Sequence, residues 1–229
     1  MKLFMAFRDL TKFEWGLWLC SVAVVTGSFL LCPIPDYLTL SASLIGVTAL
    51  IFVAKGYVLG QIFTVVFSIF YGIISFYFRY YGEMITYLCM TTPMAICAIV
   101  SWARHPFADS AEVTVSRLSK KRVLLMWSGA IATTAAFWFL LYALGNANLT
   151  ISTLSVTTSF LASYLTFCRS PYYALAYAAN DLVLILLWIL ATLKTPSYLP
   201  MIFCFIMFFI NDLYGFWNWH RMEQRQRRS

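Results

Sequence analysis

Long apolar stretches separated by short polar segments fill most of the chain. A transmembrane helix needs about 20 consecutive apolar residues, and eight stretches approach that length. They cover residues 14–32, 38–54, 57–78, 81–103, 123–144, 149–167, 172–193 and 197–219. The pattern predicts an all-α polytopic membrane protein with eight transmembrane helices.

The composition supports this prediction and excludes several kinds of site. Hydrophobic residues make up 62% of the chain and charged residues 11%, whereas soluble domains carry about 25% charged residues. The six cysteines are scattered without a C-x-x-C pair, and neither histidine has a partner at ligand spacing, so we expect no disulfide framework, metal site or cofactor. The chain also has no G-x-x-x-x-G-K-[ST] stretch, so no ATPase module is expected.

Positive charge is distributed unevenly between the two sides of the predicted bundle. Of the 16 Lys and Arg residues, all but Arg79 and Lys194 lie in the N-terminal segment, the C-terminal tail and every second connection. Such an asymmetry indicates that both termini are cytoplasmic. It also accounts for the net charge of +7 without nucleic acid as a partner.

Two parts of the sequence resemble each other. Residues 38–57 and 149–173 both begin Leu-Thr-x-Ser, and both reach a basic residue at the inner end of a span, Lys55 and Arg169. The offset is 111–115 residues. One span separates the two units, so they have the same orientation and form parallel repeats about an axis along the membrane normal, as in some transporters.

The spans and repeats together predict a 1+3+1+3 organisation. Its parts are a cytoplasmic N-terminus with an extra transmembrane helix (1–37), the first three-helix repeat (38–103), a cytoplasmic loop with a linker transmembrane helix (104–148), the second three-helix repeat (149–219) and a basic cytoplasmic tail (220–229).

Two Asn-Asp pairs interrupt the last two spans, Asn180-Asp181 and Asn211-Asp212. A carboxylate inside a bilayer is costly unless it faces protein, water or a ligand, so such an acid suggests a functional site. From the helical rise, Asp181 lies on the order of 15 Å and Asp212 on the order of 10 Å from the inner edge. We therefore expect the two carboxylates to line one cavity.

Aromatic and amide side chains share helix faces with these acids. Tyr177 lies four residues before Asp181 and Trp188 seven after it, which places all three on one face. A stripe of this kind suits an organic cation or a sugar-bearing heteroaromatic compound. The predicted substrate-binding residues are Asp181, Asn180, Tyr177, Trp188, Asn211, Asp212, Tyr214 and Gln61.

Structural roles for some of these residues stay open at this point. A neighbouring helix would hold Asp181 as a hydrogen-bond acceptor, and a basic residue at the inner interface would pair with Asp212. Gln61 is equally suited to helix packing. Glu83, which starts a span, is expected to be solvated at the outer rim.

Several segments make the chain resemble the PnuC family of vitamin-precursor transporters, best known for nicotinamide riboside. The resemblance covers about residues 38–229 and lies in AKGYVLGQIFTVVFSIFYGIISF, YYGEMITYLCMTTPMAICAIVSW, Tyr177 to Trp188 and NDLYGFWNWHRMEQRQ. It implies a 3+1+3 core related to the SWEET sugar transporters, facilitated diffusion that feeds NAD synthesis, the plasma membrane of a bacterium and a homotrimer.

The resemblance also implies a binding site in the second repeat. The Asn/Asp of the family's W-x-x-W…N/D motif falls at Asp181, and the polar residue of the last helix falls at Asp212. The two tryptophan positions of the motif hold Ala174 and Tyr177 here. This departure keeps one ring that can stack and loses the other.

The sequence therefore predicts a uniporter for nicotinamide riboside that works by alternating access. The alternatives are a carrier of thiamine or another nucleoside-like vitamin precursor, and transport coupled to protons through Asp181 or Asp212. A purely structural membrane subunit is a further alternative. No H-E-x-x-H or G-x-S-x-G motif is present, so we do not expect an enzyme.

Overall fold

The structure, a computed structural model, describes residues 6–32, 36–77, 81–108, 110–146 and 148–228. Lys2 and Arg79, two of the cations counted above, lie outside these ranges. Within them the chain folds into eight long helices: α1 (Lys12–Leu30), α2 (Tyr37–Ala54), α3 (Val58–Tyr77), α4 (Tyr81–Ala103), α5 (Lys120–Ala143), α6 (Leu149–Phe167), α7 (Tyr173–Lys194) and α8 (Leu199–Gln226).

Seven of these helices are long and apolar enough to cross a membrane. The remaining helix, α6, is rich in Ser and Thr, whose hydroxyls donate hydrogen bonds to backbone carbonyls of the same helix. Thr153 donates to the Leu149 carbonyl at 2.8 Å, and Thr157 donates to the Thr153 carbonyl at 2.9 Å. Such internal bonds reduce the cost of hydroxyl groups in a bilayer. The prediction of an all-helical, multi-pass membrane protein is confirmed.

Local sequence signals set the first turns of several helices. Thr11 and Glu14 form a capping box at the start of α1, Asp36 accepts from the backbone N–H groups of Leu38 and Thr39, and the Ser119 hydroxyl caps α5. Each of these side chains satisfies amide donors that have no partner inside the helix.

The helices pack as two triplets, α2–α4 and α6–α8. Consecutive helices within each triplet are in contact, and the main backbone contacts between the triplets are those of α2 with α8 and of α4 with α6. The first helix of each triplet thus contacts the third helix of the other. Helix α1 lies against α2 and α8, and α5 lies against α6.

The turns that end α2 and α6 have the same hydrogen bonds. The Tyr57 amide donates to the Phe52 carbonyl at 3.0 Å, and the Ser170 amide donates to the Leu165 carbonyl at 2.9 Å. Before each donor lies a residue in the left-handed region, at position 56 or 169. These positions are 113 residues apart, which lies within the offset that the sequence predicts.

A loop, residues 104–119, crosses the end of the bundle where α1 begins and α8 ends, which we call the terminal face. The Val113 amide donates to the Gly56 carbonyl, and the Ser116 amide donates to the Arg169 carbonyl, both at 2.9 Å. The Gln226 side chain holds the loop from α8 by accepting from the Val115 amide at 2.8 Å. The loop therefore joins the matched turns of the two triplets.

Candidate functional site

Two acidic side chains from adjacent helices meet inside the protein. Asp181 of α7 and Asp212 of α8 are each 3% exposed, and their carboxyl groups interact directly with one another. Both line a cavity of about 60 Å³ that lies between the two triplets. The Oδ2 atom of Asp181 has no hydrogen-bond partner in the described part of the chain, which leaves a buried acceptor available to a ligand.

Most of the remaining lining of this cavity is polar or aromatic, and α2 adds Gly46, Ala49, Leu50 and Val53. Its described residues include no Lys or Arg, so no protein cation balances the two acids there. The polar and aromatic groups of the lining are Gln61, Thr64, Phe67, Ser68, Tyr87, Thr91, Ser159, Tyr177, Asn180, Phe205 and Phe208. Hydroxyl and amide groups of this kind both donate and accept hydrogen bonds.

Neighbouring hydroxyl groups orient the polar residues of α7. The Asn180 Oδ1 atom accepts from Thr158 at 2.8 Å and from Ser159 at 3.1 Å, and the Tyr177 hydroxyl lies 3.4 Å from the Ser163 hydroxyl. The Ser and Thr content of α6 thus supports the site next to it. With its carbonyl oxygen held in this way, Asn180 presents a fixed orientation to the cavity.

Small residues bring α7 and α8 close together beside the acids. A Cβ at Gly215 would lie 3.0 Å from the Tyr173 hydroxyl, so a larger residue would require the tyrosine to shift by a few tenths of an ångström. Ala174 is fully buried beside Gly215. Packing of α7 on α8 occupies this position, and Ala174 does not line the cavity.

Five of the eight predicted substrate-binding residues line the cavity: Asp181, Asp212, Asn180, Tyr177 and Gln61. Trp188 lies nearer the opposite end of the bundle, which we call the far face, where it borders a second cavity. The structure therefore brings the acids of both Asn-Asp pairs together but separates Trp188 from them by nearly two helical turns.

Asn211 and Tyr214 face α1 instead of the cavity. The Asn211 amide donates to the Ser21 hydroxyl at 2.9 Å, and the Tyr214 hydroxyl donates to the Glu14 carboxylate at 2.8 Å. These two residues share a helix face, as their spacing predicts. That face is covered by a helix outside the two triplets.

Ser68 and Thr64 line the cavity but were not among the predicted residues. A signal for them was present, because the 113-residue offset carries Asp181 onto Ser68 and Tyr177 onto Thr64. The aromatic residues Phe205 and Phe208 gave no comparable signal, since they lie in an unbroken apolar stretch.

Aromatic side chains close the cavity towards both faces. On the far side the rings of Tyr71 and Tyr87 lie 4.4 Å apart, and on the terminal side the rings of Trp102 and Trp219 lie 5.3 Å apart. Small-molecule pockets usually measure about 300–1,000 Å³. At about 60 Å³ this one is smaller than that range.

The electrostatics of the site favour a positively charged ligand. Two carboxyl groups in direct contact in a low-dielectric interior repel each other strongly once both are ionised, and a buried charge without a partner is costly. An organic cation between Asp181 and Asp212 removes both penalties. A ring system also gains from the face of Tyr177, since cation–π contacts are strongest away from water.

Comparison with known protein families agrees with this geometry. The sequence profile of the family described as "Nicotinamide mononucleotide transporter" matches residues 36–221, which is most of the chain. The chain belongs to the PnuC family of membrane transporters. The matched range holds most of both triplets and both aspartates of the cavity, while all of α1 precedes it.

Individual PnuC proteins extend the similarity to α1. The nicotinamide riboside transporter PnuC of Neisseria mucosa is 25% identical over 224 residues, which cover 96% of this chain and 85% of that protein. The nicotinamide riboside transporter PnuC of Haemophilus influenzae is 23% identical over 194 residues, which cover 83% of each protein. A crystal structure of the vitamin B3 transporter PnuC superposes with a TM-score of 0.82 and 25% identity, covering 95% of this chain and 94% of that one.

Proposed function

We propose that this PnuC protein carries nicotinamide riboside across the plasma membrane of a bacterium by facilitated diffusion and so supplies NAD synthesis. One observation carries the proposal: Asp181 and Asp212 meet in a buried cavity whose described lining holds no cation. The nicotinamide ring of the riboside is positively charged, and it supplies the charge that the two acids lack. The names of the two PnuC relatives support the same substrate.

The other lining groups suit the uncharged parts of this substrate. The ribose hydroxyls and the carboxamide need both donors and acceptors, which Gln61, Asn180, Ser68 and Ser159 provide. Tyr177 offers an aromatic face beside the acids. We propose the five cavity-lining residues of the prediction as the binding site and leave Asn211 and Tyr214 with a supporting role against α1.

The charge of the cavity also distinguishes between two related substrates. Nicotinamide mononucleotide carries a phosphate group, which would lie in a cavity that holds two carboxylates and, among its described residues, no Lys or Arg. Burying such an anion without a cation is strongly unfavourable. We therefore favour the riboside over the mononucleotide.

We propose that all eight helices span the membrane in the 1+3+1+3 order, with both termini cytoplasmic, and that the two triplets are parallel repeats that rock about the cavity. The reciprocal packing of α2 on α8 and α4 on α6 supports this arrangement. So do the matched turns at positions 56 and 169. In this arrangement the terminal face is the cytoplasmic one, and α1 and α5 lie outside the repeats. Assembly as a homotrimer stays a prediction.

A second candidate substrate is thiamine or another cationic, nucleoside-like vitamin precursor. It is favoured by Ala174, which stands at a tryptophan position of the family motif and is buried against α8. With one ring fewer, the site has less aromatic surface for a nicotinamide ring. Transport coupled to protons through the two aspartates belongs to the same alternative.

Uptake into liposomes tests the function. Liposomes that contain the purified protein are loaded with unlabelled nicotinamide riboside, and labelled riboside is added outside. The exchange of label is then measured with thiamine or nicotinamide mononucleotide as competitor. We expect exchange that nicotinamide mononucleotide does not inhibit and that an imposed pH gradient does not change. Inhibition by thiamine at lower concentration than by unlabelled riboside would favour the second candidate.

Two variants connect this activity to the site. Asp181→Asn should abolish the exchange, because the cavity loses one of its two acids. Asp36→Asn is the matched control, since Asp36 caps α2 outside the cavity and Asn is an equally good cap. Equal exchange by Asp181→Asn and the unmodified protein would remove Asp181 from the mechanism.

A further inference from the structure

A second cavity lies at the far face, between α4, α5, α6 and α7. Its volume is about 310 Å³, which lies within the range of small-molecule pockets and is several times that of the cavity around the aspartates. Glu83 is the only acidic side chain among its described lining residues and Lys194 the only basic one. Trp188 supplies an aromatic wall.

Glu83 is half-buried in this cavity, whereas the sequence suggested a solvated residue at the rim. It lies in the first turn of α4, where the helix dipole favours a carboxylate, and it contacts the Ser155 hydroxyl. Among the described ion pairs none includes Glu83. The fold therefore holds the carboxylate in place without an ion pair to any described Lys or Arg, although Lys194 lines the same cavity.

The two cavities are stacked along the same three helices. Helix α4 presents Glu83 to the outer cavity and Tyr87 to the inner one, four residues further on, so the two lie on one side of the helix. The same order holds on the other two helices. The outer cavity is lined by Ser152 and Val156 of α6 and by Leu184 and Trp188 of α7, and the inner cavity by Ser159 of α6 and by Tyr177 and Asp181 of α7.

Tyr87 lines the inner cavity and lies four residues after Glu83 of the outer one. Its side chain is 7% exposed, and its ring packs 4.4 Å from the ring of Tyr71 and 5.9 Å from that of Phe67. The Tyr87 hydroxyl is close enough to interact electrostatically with the carboxyl groups of both Glu83 and Asp181. One phenol thus stands between the acid of the outer cavity and the acids of the inner one.

The backbone at Tyr87 is unusual for a transmembrane helix. Residues Thr86–Thr91 form a π-helical segment inside α4, and the Thr92 hydroxyl donates to the Tyr87 carbonyl at 2.8 Å. Pro93 follows directly and lacks the amide donor that a regular helix needs. Single π-turns within α-helices occur frequently at functional sites, and this one places the aromatic barrier between the cavities.

We infer that the cavity around Glu83 is an outer capture site, which binds the cationic nucleoside before it passes Tyr87 to reach Asp181 and Asp212. This inference rests on the proposed function. The ligand class is an organic cation with an aromatic ring, held by the Glu83 carboxylate and by the face of Trp188. Lys194, which is exposed at the rim, opposes the approach of the same cation.

A capture site should affect the binding of the substrate from outside and not the maximal rate of transport. Charges near the mouth of a site act mainly on the rate of association. In liposomes, Glu83→Gln should raise the KM for nicotinamide riboside about threefold to tenfold and leave the maximal rate unchanged. The same Asp36→Asn control removes an acid from the far face outside this cavity, so it measures the general effect of charge on that face and should change the KM less than Glu83→Gln does.

An uncharged ligand isolates the electrostatic part of this effect. The reduced form of nicotinamide riboside has the same ribose and carboxamide but no ring charge. Its KM, or its inhibition constant against the charged form, should be the same for Glu83→Gln and the unmodified protein. A rise of similar size for both ligands would show that the substitution only disturbs packing and would overturn the inference.

Lys194→Gln tests the same site in the opposite direction and does not depend on a buried position. It removes the opposing charge, so it should lower the KM for the riboside and make uptake less dependent on salt. If the unmodified protein transports the riboside and neither substitution changes the KM, the capture site is wrong and the proposed function stands. If the unmodified protein does not transport the riboside, the proposed function fails and the inference falls with it.

Discussion

Trp102 of α4 and Trp219 of α8 lie against each other at the terminal face, and each indole donates a hydrogen bond into the opposite triplet. Trp102 donates to the Thr166 carbonyl at the end of α6, and Trp219 donates to the Val53 carbonyl at the end of α2, both at 2.9 Å. Both rings are fully buried. The pair therefore fastens the triplets together on the terminal side of the aspartates.

We expect Trp102→Phe and Trp219→Phe each to lower the free energy of unfolding by about 0.5–1.5 kcal/mol, because each removes one buried hydrogen bond. Melting temperatures in detergent measure the effect. Trp217→Phe is a matched control, since the Trp217 ring is 53% exposed. Equal melting temperatures for all three variants would contradict the role of the pair.

The same variants should open the terminal face more often. Cys168 reports this, because it lies at the end of α6 with 4% of its surface exposed, and burial raises the pKa of its thiol. At neutral pH the thiol therefore stays protonated and reacts slowly. With the other five cysteines replaced, maleimide should label Cys168 faster in Trp102→Phe than in the unmodified protein, and equal rates would count against this view.

We expect the two aspartates to lower the stability of the unliganded protein and to contribute to the binding of nicotinamide riboside. Asp212→Asn removes one of two buried carboxyl groups that interact directly, so we expect the unliganded protein to gain about 1 kcal/mol and its melting temperature to rise by about 2–4 °C. The stabilisation by nicotinamide riboside should disappear in the same variant. If Asp212 were a structural hydrogen-bond acceptor, the unliganded variant would melt lower instead.

Periodicity and depth were enough to predict that the two acids line one cavity. The span predicted at 172–193 is α7 (Tyr173–Lys194), and the depths estimated for Asp181 and Asp212 from the helical rise agree with their meeting in one cavity. Both estimates follow from fixed helix geometry. They need no knowledge of how the helices are arranged.

Periodicity does not reveal which neighbour covers a helix face. Asn211 and Tyr214 share a face of α8 as predicted, but α1 packs on it and supplies Ser21 and Glu14 as partners. Helix α1 lies outside the two triplets, so the internal similarity of the sequence gave no information about its position. The π-helical segment around Tyr87 is similarly a tertiary feature, which Pro93 alone does not specify.

Glu14 joins α1 to both triplets, and its pairing with Lys55 should be important for stability. The Lys55 ammonium lies 3.1 Å from Glu14, whose side chain is 2% exposed and also accepts from Tyr214 at 2.8 Å. Lys55→Met should cost about 3 kcal/mol, because it leaves a buried carboxylate unpaired. The double variant Lys55→Met/Glu14→Gln should be more stable than Lys55→Met alone, and a lower melting temperature for the double variant would contradict this account.

The matched turns provide a test of backbone strain. Gly56 and Arg169 have φ angles of 71° and 58°, in a region that costs residues other than glycine about 1–2 kcal/mol. Gly56→Ala should therefore destabilise the protein, also because its new Cβ would lie 3.0 Å from the Met222 side chain.

At the other turn, Arg169→Gly and Arg169→Ala both lose the 3.3 Å contact to the Thr114 carbonyl, but only Arg169→Ala keeps the strain. Arg169→Gly should thus melt higher than Arg169→Ala by the equivalent of about 1 kcal/mol, and the reverse order would show that the left-handed conformation at this turn costs nothing.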